Sequence, residues 1–316
     1  MKFLERTFEV SGREGLGAKP RPELIGPVLT HLHDTLQDVV RMGFLHSSRA
    51  RGRIPSGLKA AAEVHYLGHS LGNDGTTLLR FEVPSFGSVA TELFSQKRLW
   101  EDGPQPEQTA FELLGGALVD VRNRRKDSNR FDTGLLRRIG TYRRMLNRGI
   151  DRIQLPDTAI SELGRIDIDA VDAATELCAA TPSSRRVRVA GRLDLLGASQ
   201  AVLKLDIRPG VFVTALWEGE MPLDDLKEYF NRDVVLEGVG IFRPSGSLLR
   251  VDASAIAFAG AQDDFFRSVP QSGGFSSLTS SIGLRPGERS RYGRILGAIP
   301  GEESDEAFIE AIERLG

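Results

Sequence analysis

The sequence contains few of the residues on which disulfides and structural metal sites depend. Its 316 residues include one cysteine, Cys178, and five histidines. A single cysteine cannot form an intrachain disulfide, so the chain does not need an oxidising compartment. One thiol and scattered histidines do not supply the four convergent ligands of a structural zinc site. We therefore expect no disulfide, no bound metal and no cofactor.

Long apolar runs are also lacking. No stretch approaches the ~18 consecutive apolar residues of a membrane span. Residues 1–10 carry charges throughout, unlike a signal peptide. The sequence therefore predicts a cytoplasmic protein that does not associate with membranes. Hydrophobic residues make up 40% and charged residues 27% of the chain, which is typical of a folded globular protein.

The chain has almost no excess of charge of one sign. The net charge is −2, so the molecule as a whole has no field that gathers polyanions. The charges are placed unevenly, however, because residues 122–148 contain ten Lys or Arg and two acids. Residues 301–316 contain six acids and one Arg. This asymmetry indicates a basic surface and an acidic C-terminal segment.

The order of the sequence patterns predicts an α+β protein in four parts. Turn-forming residues at Thr181-Pro182-Ser183-Ser184 indicate a boundary between the first two. In chain order, the predicted parts are an N-terminal α+β domain with a hairpin sheet and a basic helix (1–182), a five-strand OB-like β-barrel (183–260), a linker and extended segment (261–300), and an acidic amphipathic helix that forms a C-terminal helical tail (301–316).

The N-terminal part combines helices with a β-hairpin. Apolar residues at three- and four-residue steps predict a long helix over 22–44. Two β-rich runs, 60–71 and 76–83, flank Gly72-Asn73-Asp74-Gly75, which is a strong hairpin signal. Further helices are predicted at 107–125, at 134–147, and from Asp169, as N-cap, to Cys178.

Residues 183–260 hold five segments that alternate between apolar and polar residues, the pattern of half-buried strands. The predicted strands are 186–195, 201–207, 211–217, 234–242 and 248–257, with a short helix at 222–230 between the third and the fourth. Three strands, a helix and two further strands is the order of an OB-fold barrel.

The segment Gly68-His69-Ser70-Leu71-Gly72 matches the G-x-S-x-G motif of a hydrolase nucleophile elbow. That elbow needs a helix after the serine, whereas this motif runs into a hairpin turn. No histidine follows His69 to act as a general base, so the Ser70 hydroxyl would remain a poor nucleophile. A hydrolase at Ser70 is a distant alternative. The sequence therefore predicts a non-enzymatic protein with no catalytic residues.

A basic helix at 135–148 supports a nucleic-acid-binding alternative. Its arginines repel one another, a cost usually tolerated where a polyanion or an acidic partner binds. OB-fold barrels also bind single strands by stacking bases on aromatic residues, although Phe212, Trp217 and Phe242 fit a barrel core equally well. A solvated face that acids elsewhere in the fold neutralise explains the arginines as well. The candidate nucleic-acid-binding residues are Arg124, Arg125, Arg137, Arg138, Arg143, Arg144, Arg188 and Arg192.

Two barrel segments, 189–194 and 242–253, resemble a family of uncharacterised bacterial proteins with an OB-like C-terminal module. The segment Gly297-Ala298-Ile299-Pro300-Gly301-Glu302-Glu303 is similar to the Gly-x-x-Pro-Gly-acidic tail of that family. The resemblance implies a two-part organisation and a bacterial source. It also implies an association with small toxin-like partners, as antitoxins and defence components have. It carries over no catalytic residue.

The leading hypothesis is an antitoxin-like or scaffold protein that binds a protein partner through its C-terminal helix and its basic surface. The apolar side chains Phe308, Ile312 and Leu315 would enter a groove of the partner, and Glu306 and Glu310 would steer the encounter. Docking of the same helix on its own chain, or across a homo-oligomer, is the alternative.

Overall fold

The structure is a computed structural model that describes residues 3–13, 16–49, 55–94, 103–155, 164–197, 201–260 and 262–272. Contacts within the chain group the described residues, up to Ser272, into one compact unit. The boundary at 181–184 stays a prediction, as do the parts assigned to 261–300 and 301–316. Among the described residues, no helix is both long and apolar enough to cross a membrane.

The N-terminal part is built on a five-stranded antiparallel sheet with the order β2-β3-β1-β4-β5. One face of the sheet is apolar, because alternate residues such as Phe8, Val10, Leu79 and Phe81 are buried. The strands are β1 (Phe3–Gly12), β2 (His65–Leu71), β3 (Thr77–Pro84), β4 (Ile150–Gln154) and β5 (Arg165–Ile166).

Eight helices among the described residues cover this face or connect its strands. In the longest, α1, Val28, Leu32 and Leu36 recur on one buried face, as the sequence predicts. The helices are α1 (Pro22–Leu45), α2 (Ser56–Ala61), α3 (Phe86–Val89), α4 (Thr91–Phe94), α5 (Ala110–Arg122), α6 (Thr133–Gly140), α7 (Arg143–Leu146) and α8 (Ile168–Ala180).

The expected hairpin is present, but its first strand is shorter than predicted. Residues 60–64 do not extend β2, because helix α2 occupies the chain up to Ala61. Leu58 and Ala61 are three residues apart and both buried, so a helical turn places them on one side. The alternation of apolar and polar residues predicts β3 correctly, because that strand is buried on one face only.

Three helix boundaries differ from the predictions. Helix α5 begins at Ala110 because Thr109 forms a capping box with Glu112. The predicted helix at 134–147 is two helices, α6 and α7, which are separated at Thr141-Tyr142. The N-cap of α8 is Asp167, whose carboxylate accepts the Ala170 N–H at 3.0 Å. The prediction of Asp169 as the cap was wrong, because its backbone already belongs to the first helical turn.

The second part is a closed five-strand barrel with the order β10-β8-β7-β6-β9. The β8–β10 pair is parallel, and the other pairs are antiparallel. This confirms the α+β class and the five-strand barrel, and the strand order is consistent with an OB-like fold. The strands are β6 (Arg185–Gly197), β7 (Val202–Arg208), β8 (Val211–Trp217), β9 (Asp233–Phe242) and β10 (Leu248–Phe258).

Two local features of the barrel follow from close packing. The predicted helix at 222–230 is only a 3-10 turn, Asp225–Tyr229, in which Leu226 and Tyr229 are buried three residues apart. A Cβ atom at Gly238 would lie 2.2 Å from the carbonyl oxygen of Asp252. Strand β9 can therefore approach β10 this closely only with glycine at that position.

The barrel is fastened to the N-terminal part through β10 and the β9–β10 turn. Arg250 is only 6% exposed, and its Nη1 donates to the carbonyl oxygen of His46 at 2.8 Å. The same guanidinium lies 3.6 Å from Asp132, which caps α6. In the turn, the Ser247 hydroxyl donates to Asp127 at 3.0 Å. The turn therefore rests on the α5–α6 connection and holds one barrel face opposite the helices.

Candidate functional site

A cleft of about 900 Å³ lies between the outer face of β7 and β8 and helices α1 and α5. Its volume falls within the range of about 300–1,000 Å³ that is usual for ligand pockets. Its polar and aromatic lining residues are Asp194, Lys204, Phe212 and Thr214 on the barrel strands, Arg243 in the β9–β10 turn, and His46, Gln105, Gln108, Glu112, Asn129 and Arg130 in the N-terminal part.

Strand alternation places Lys204 and Phe212 on the cleft side of the barrel. In β7, Leu203 and Leu205 are fully buried in the barrel, so Lys204 between them points outward. In β8, Val213 points inward and Phe212 outward, and Phe212 is 44% exposed. The Lys204 ammonium lies 4.2 Å from the centre of the Phe212 ring, a cation–π contact.

Arg243 brings a guanidinium from the β9–β10 turn into the cleft. Its Nε donates to Asn129 Oδ1 at 3.0 Å, its Nη2 donates to the same oxygen, and its Nη1 donates to Ser247 and to the Leu248 carbonyl oxygen. Burial lowers the pKa of Arg243, although Asp127 opposes the shift. No carboxylate among the described residues forms an ion pair with it, and all the side-chain hydrogen bonds that it donates go to neutral acceptors.

The other charged groups leave the cleft positive. Lys204 also has no ion-pair partner among the described residues. Arg130 lies 3.4 Å from Asp120. Of the two carboxylates that line the cleft, Glu112 is 2.7 Å from Arg6 and Asp194 is exposed to solvent. An anion that enters would therefore meet Lys204 and Arg243 without having to displace a carboxylate from either.

His46 lies where α1 ends, in a left-handed backbone conformation with φ of 53°. Burial, followed by the positive charges of Arg250, Arg243 and Lys204, lowers the pKa of its imidazole to about 4. The imidazole is therefore neutral at pH 7. It contributes no cation to the cleft, which draws its positive charge from the lysine and arginines.

The predicted basic surface is largely neutralised within the fold. Four of the candidate arginines form ion pairs with acids of α1, α5 and α8. For three of these four arginines, the acid is remote in sequence. The pairs are Arg124 with Glu176, Arg125 with Asp120, Arg138 with Asp34 and Asp38, and Arg143 with Asp172. This geometry favours the balanced, solvated face over a surface that awaits a polyanion.

The four remaining candidate arginines are dispersed. On the barrel, Arg188 lies 2.7 Å from Glu237, and Arg192 donates to the side-chain oxygen of Asn231 at 2.7 Å. Arg137 and Arg144 are exposed, and no described residue forms an ion pair with either. A nucleic-acid interface on this surface stays a prediction. Among the described candidate arginines, only Arg137 and Arg144 offer it charge that is not already in an ion pair or a side-chain hydrogen bond.

The G-x-S-x-G motif lies in an edge strand and its hairpin. Ser70 is in β2, paired in register with Leu78 of β3, and a 3-10 turn at Asn73–Gly75 follows. The strand-to-helix geometry of a nucleophile elbow is therefore not formed there. Among the described residues, no group of three or more His, Cys, Asp or Glu side chains is placed to hold a metal ion.

The proposed partner-binding residues of the C-terminal helix lie outside the described residues. These are Phe308, Ile312, Leu315, Glu306 and Glu310. The antitoxin-like mechanism and the homo-oligomer alternative, both of which depend on that helix, stay predictions.

Sequence reasoning did not single out the residues that define the cleft. Phe212 was one of three barrel aromatics, and Lys204, Asn129 and Arg243 were not candidates. A signal exists for Lys204, because it is the one charged residue between two buried leucines in a predicted strand. Asn129 carries no such signal, since its partner Arg243 is 114 residues away in the chain.

Comparisons with protein-family models, with curated proteins and with solved structures find no match to this chain. The resemblance to a bacterial family, drawn from 189–194, 242–253 and 297–303, therefore stays a prediction. The function has to be argued from the geometry of the cleft.

Proposed function

We propose that this is a non-enzymatic protein that binds single-stranded nucleic acid, and that its barrel is OB-like and uses the cleft for binding. The observation that carries the proposal is one cavity that joins the exposed Phe212 ring to two cations without carboxylate partners, Lys204 and Arg243. OB-fold barrels bind oligonucleotides and oligosaccharides on strands two and three and on the loop between strands four and five. Lys204 is on the second strand, Phe212 on the third, and Arg243 in that loop.

The charge of the cleft favours a nucleic acid over a sugar. An uncharged oligosaccharide would leave the charges of Lys204 and Arg243 in the cleft without an anion. A phosphodiester compensates both charges, and an adjacent base can stack on Phe212. The strand has to be unpaired at that point, because a base in a duplex does not expose its face to the ring.

We expect a fluorescein-labelled oligothymidylate to bind the full-length protein. Lys204→Ala and Phe212→Ala should each weaken binding about tenfold, since a stacked base contributes about 1–3 kcal/mol. Two phosphate contacts predict a slope of about −1.4 for log K against log salt concentration. Lys204→Ala should reduce that slope to about −0.7. Fluorescence anisotropy over a salt series measures both quantities.

Arg137→Ala is the matched control, because Arg137 is an exposed, unpaired arginine outside the cleft. It should leave the affinity unchanged within about twofold. If Arg137→Ala lost more affinity than Lys204→Ala, the strand would bind the basic helix and not the cleft. If no single-stranded DNA or RNA bound even at low salt, the proposed function would be wrong.

A further inference from the structure

His46 lies in the wall of the cleft, where the end of α1 meets the barrel. It follows the last residue of α1, and its backbone φ is 53°. Its carbonyl oxygen accepts from Nη1 of Arg250 in β10 at 2.8 Å. The backbone of His46 is thus held by the helix on one side and by the barrel on the other, which keeps this residue at the cleft.

Three cations lie close enough to act on the imidazole, each from a different part of the barrel. Lys204 is in β7, Arg243 in the β9–β10 turn and Arg250 in β10. Arg250 has carboxylate partners, whereas Lys204 and Arg243 have none among the described residues. Burial is the larger cause of the low pKa of His46, about 4, and these charges lower it further. The free cleft therefore holds a neutral imidazole.

The carboxylates of the cleft wall and of the Arg250 cluster are held by other groups or by solvent. Asp132 and Asp252 lie 3.6 and 2.7 Å from Arg250, Glu112 lies 2.7 Å from Arg6, and Asp194 is exposed. A protonated imidazole in the cleft would gain most from a new anion. A phosphate held by Lys204 and Arg243 would be such an anion.

Binding of a strand would change the charge around His46. Lys204 and Arg243 are the two cations to which we assign the phosphodiester, and they are also two of the three that oppose protonation of the imidazole. A phosphate compensates both. The strand removes little further water from an imidazole that is already buried, so the charge effect outweighs the added desolvation. The pKa of His46 would therefore be higher in the complex, and by linkage the proton and the strand would strengthen each other's binding.

We infer that His46 is a pH-dependent binding residue of the cleft, neutral in the free protein and protonated when a phosphate of the strand is bound. The inference rests on the proposed function, because it describes the regulation of the same site. Protonation adds a positive charge near the phosphate, so acidification tightens binding. Because the pKa of the free protein's imidazole is about 4 and the ordinary value is 6.5, the tightening develops as the pH falls below about 7.

Isothermal titration calorimetry of the full-length protein with an oligothymidylate, at pH 8 and pH 5 and at constant ionic strength, tests this inference. Thymine and the phosphodiester do not titrate between these pH values, so a change in affinity reports on the protein. We expect binding about threefold to tenfold tighter at pH 5. His46→Asn, which tolerates the left-handed backbone and cannot titrate, should bring the ratio below about twofold.

The same titrations count the protons. At pH 5, titrations in two buffers of different ionisation enthalpy should show a net proton uptake by the wild-type protein on binding, and a smaller uptake by His46→Asn. Each titration uses protein whose tryptophan fluorescence is that of the folded state. A contact that served structure alone would not produce this difference in proton uptake.

His69→Asn is the matched control, because His69 is an exposed histidine in β2 that does not line the cleft. It should keep the wild-type ratio of affinities. Equal affinity of the wild-type protein at pH 8 and pH 5, or an unchanged ratio in His46→Asn, would overturn the inference and leave the proposed function intact. Absence of binding to any strand at either pH would instead overturn the proposed function.

Discussion

Replacing Arg250 by alanine is expected to lower the free energy of unfolding by about 3–5 kcal/mol, the usual cost of removing one partner from a buried ion pair. Arg250 lies 2.7 Å from Asp252 and 3.6 Å from Asp132, and it donates to the carbonyl oxygen of His46. Without it, Asp252 and the His46 carbonyl oxygen lose a donor, and Asp132, which still accepts from Ser48 and Leu135, loses the nearby positive charge. The contact between barrel and helices weakens at the same time, because Arg250 spans both.

The matched control for this prediction is Arg188→Ala. Arg188 is also a barrel arginine in an ion pair, 2.7 Å from Glu237, but both side chains are about half exposed. An exposed pair contributes less than about 1 kcal/mol. Urea denaturation followed by tryptophan fluorescence compares the two variants. If both variants lost the same small amount of unfolding free energy, Arg250 would not be the contact that stabilises the barrel against the helices.

The second large effect concerns His46 and pH. We expect the protein to lose about 2 kcal/mol of unfolding free energy between pH 8 and pH 5 because of this residue alone. The folded imidazole has a pKa of about 4, and the ordinary value is 6.5. Between these values the unfolded chain binds a proton that the folded chain does not. Stability therefore rises with pH through this window and falls as the solution is acidified.

His46→Asn isolates this contribution. Asparagine tolerates the left-handed backbone at position 46 and does not titrate, so the variant should lose about 2 kcal/mol less than the wild-type protein between the two pH values. The measurement is the unfolding free energy in urea at pH 8 and pH 5. Parallel profiles for wild type and His46→Asn would show that His46 is not the titrating group.

Local patterns account for the parts of the fold that were predicted correctly. The barrel strands follow from alternation, because a strand that is buried on one face needs apolar side chains at every second position. Helix α1 follows from apolar residues at three- and four-residue steps. The cap of α8 was misplaced by two residues, since Asp167 and Asp169 are both good caps and only the backbone conformation separates them.

The cleft could not be predicted in the same way, because it depends on pairs that are distant in sequence. The arginines of the basic helix look uncommitted until Asp34, Asp38 and Asp172 are brought beside them. Conversely, Arg243 and Lys204 look ordinary until the fold leaves them without a carboxylate. Charge counts along the sequence therefore do not show which charges remain without a partner, since neutralisation is decided by contacts in space.

We propose that a single strand binds on the β7–β8 face, inside the cleft. Photo-cross-linking of full-length protein to an oligothymidylate that carries one 5-iodouracil, with the cross-linked peptide identified by mass spectrometry, tests it most directly. We predict a cross-link to Phe212, whose ring is the exposed aromatic in the cleft. Cross-links confined to the peptide of Arg137 and Arg144, or to residues 273–316, would contradict the claim.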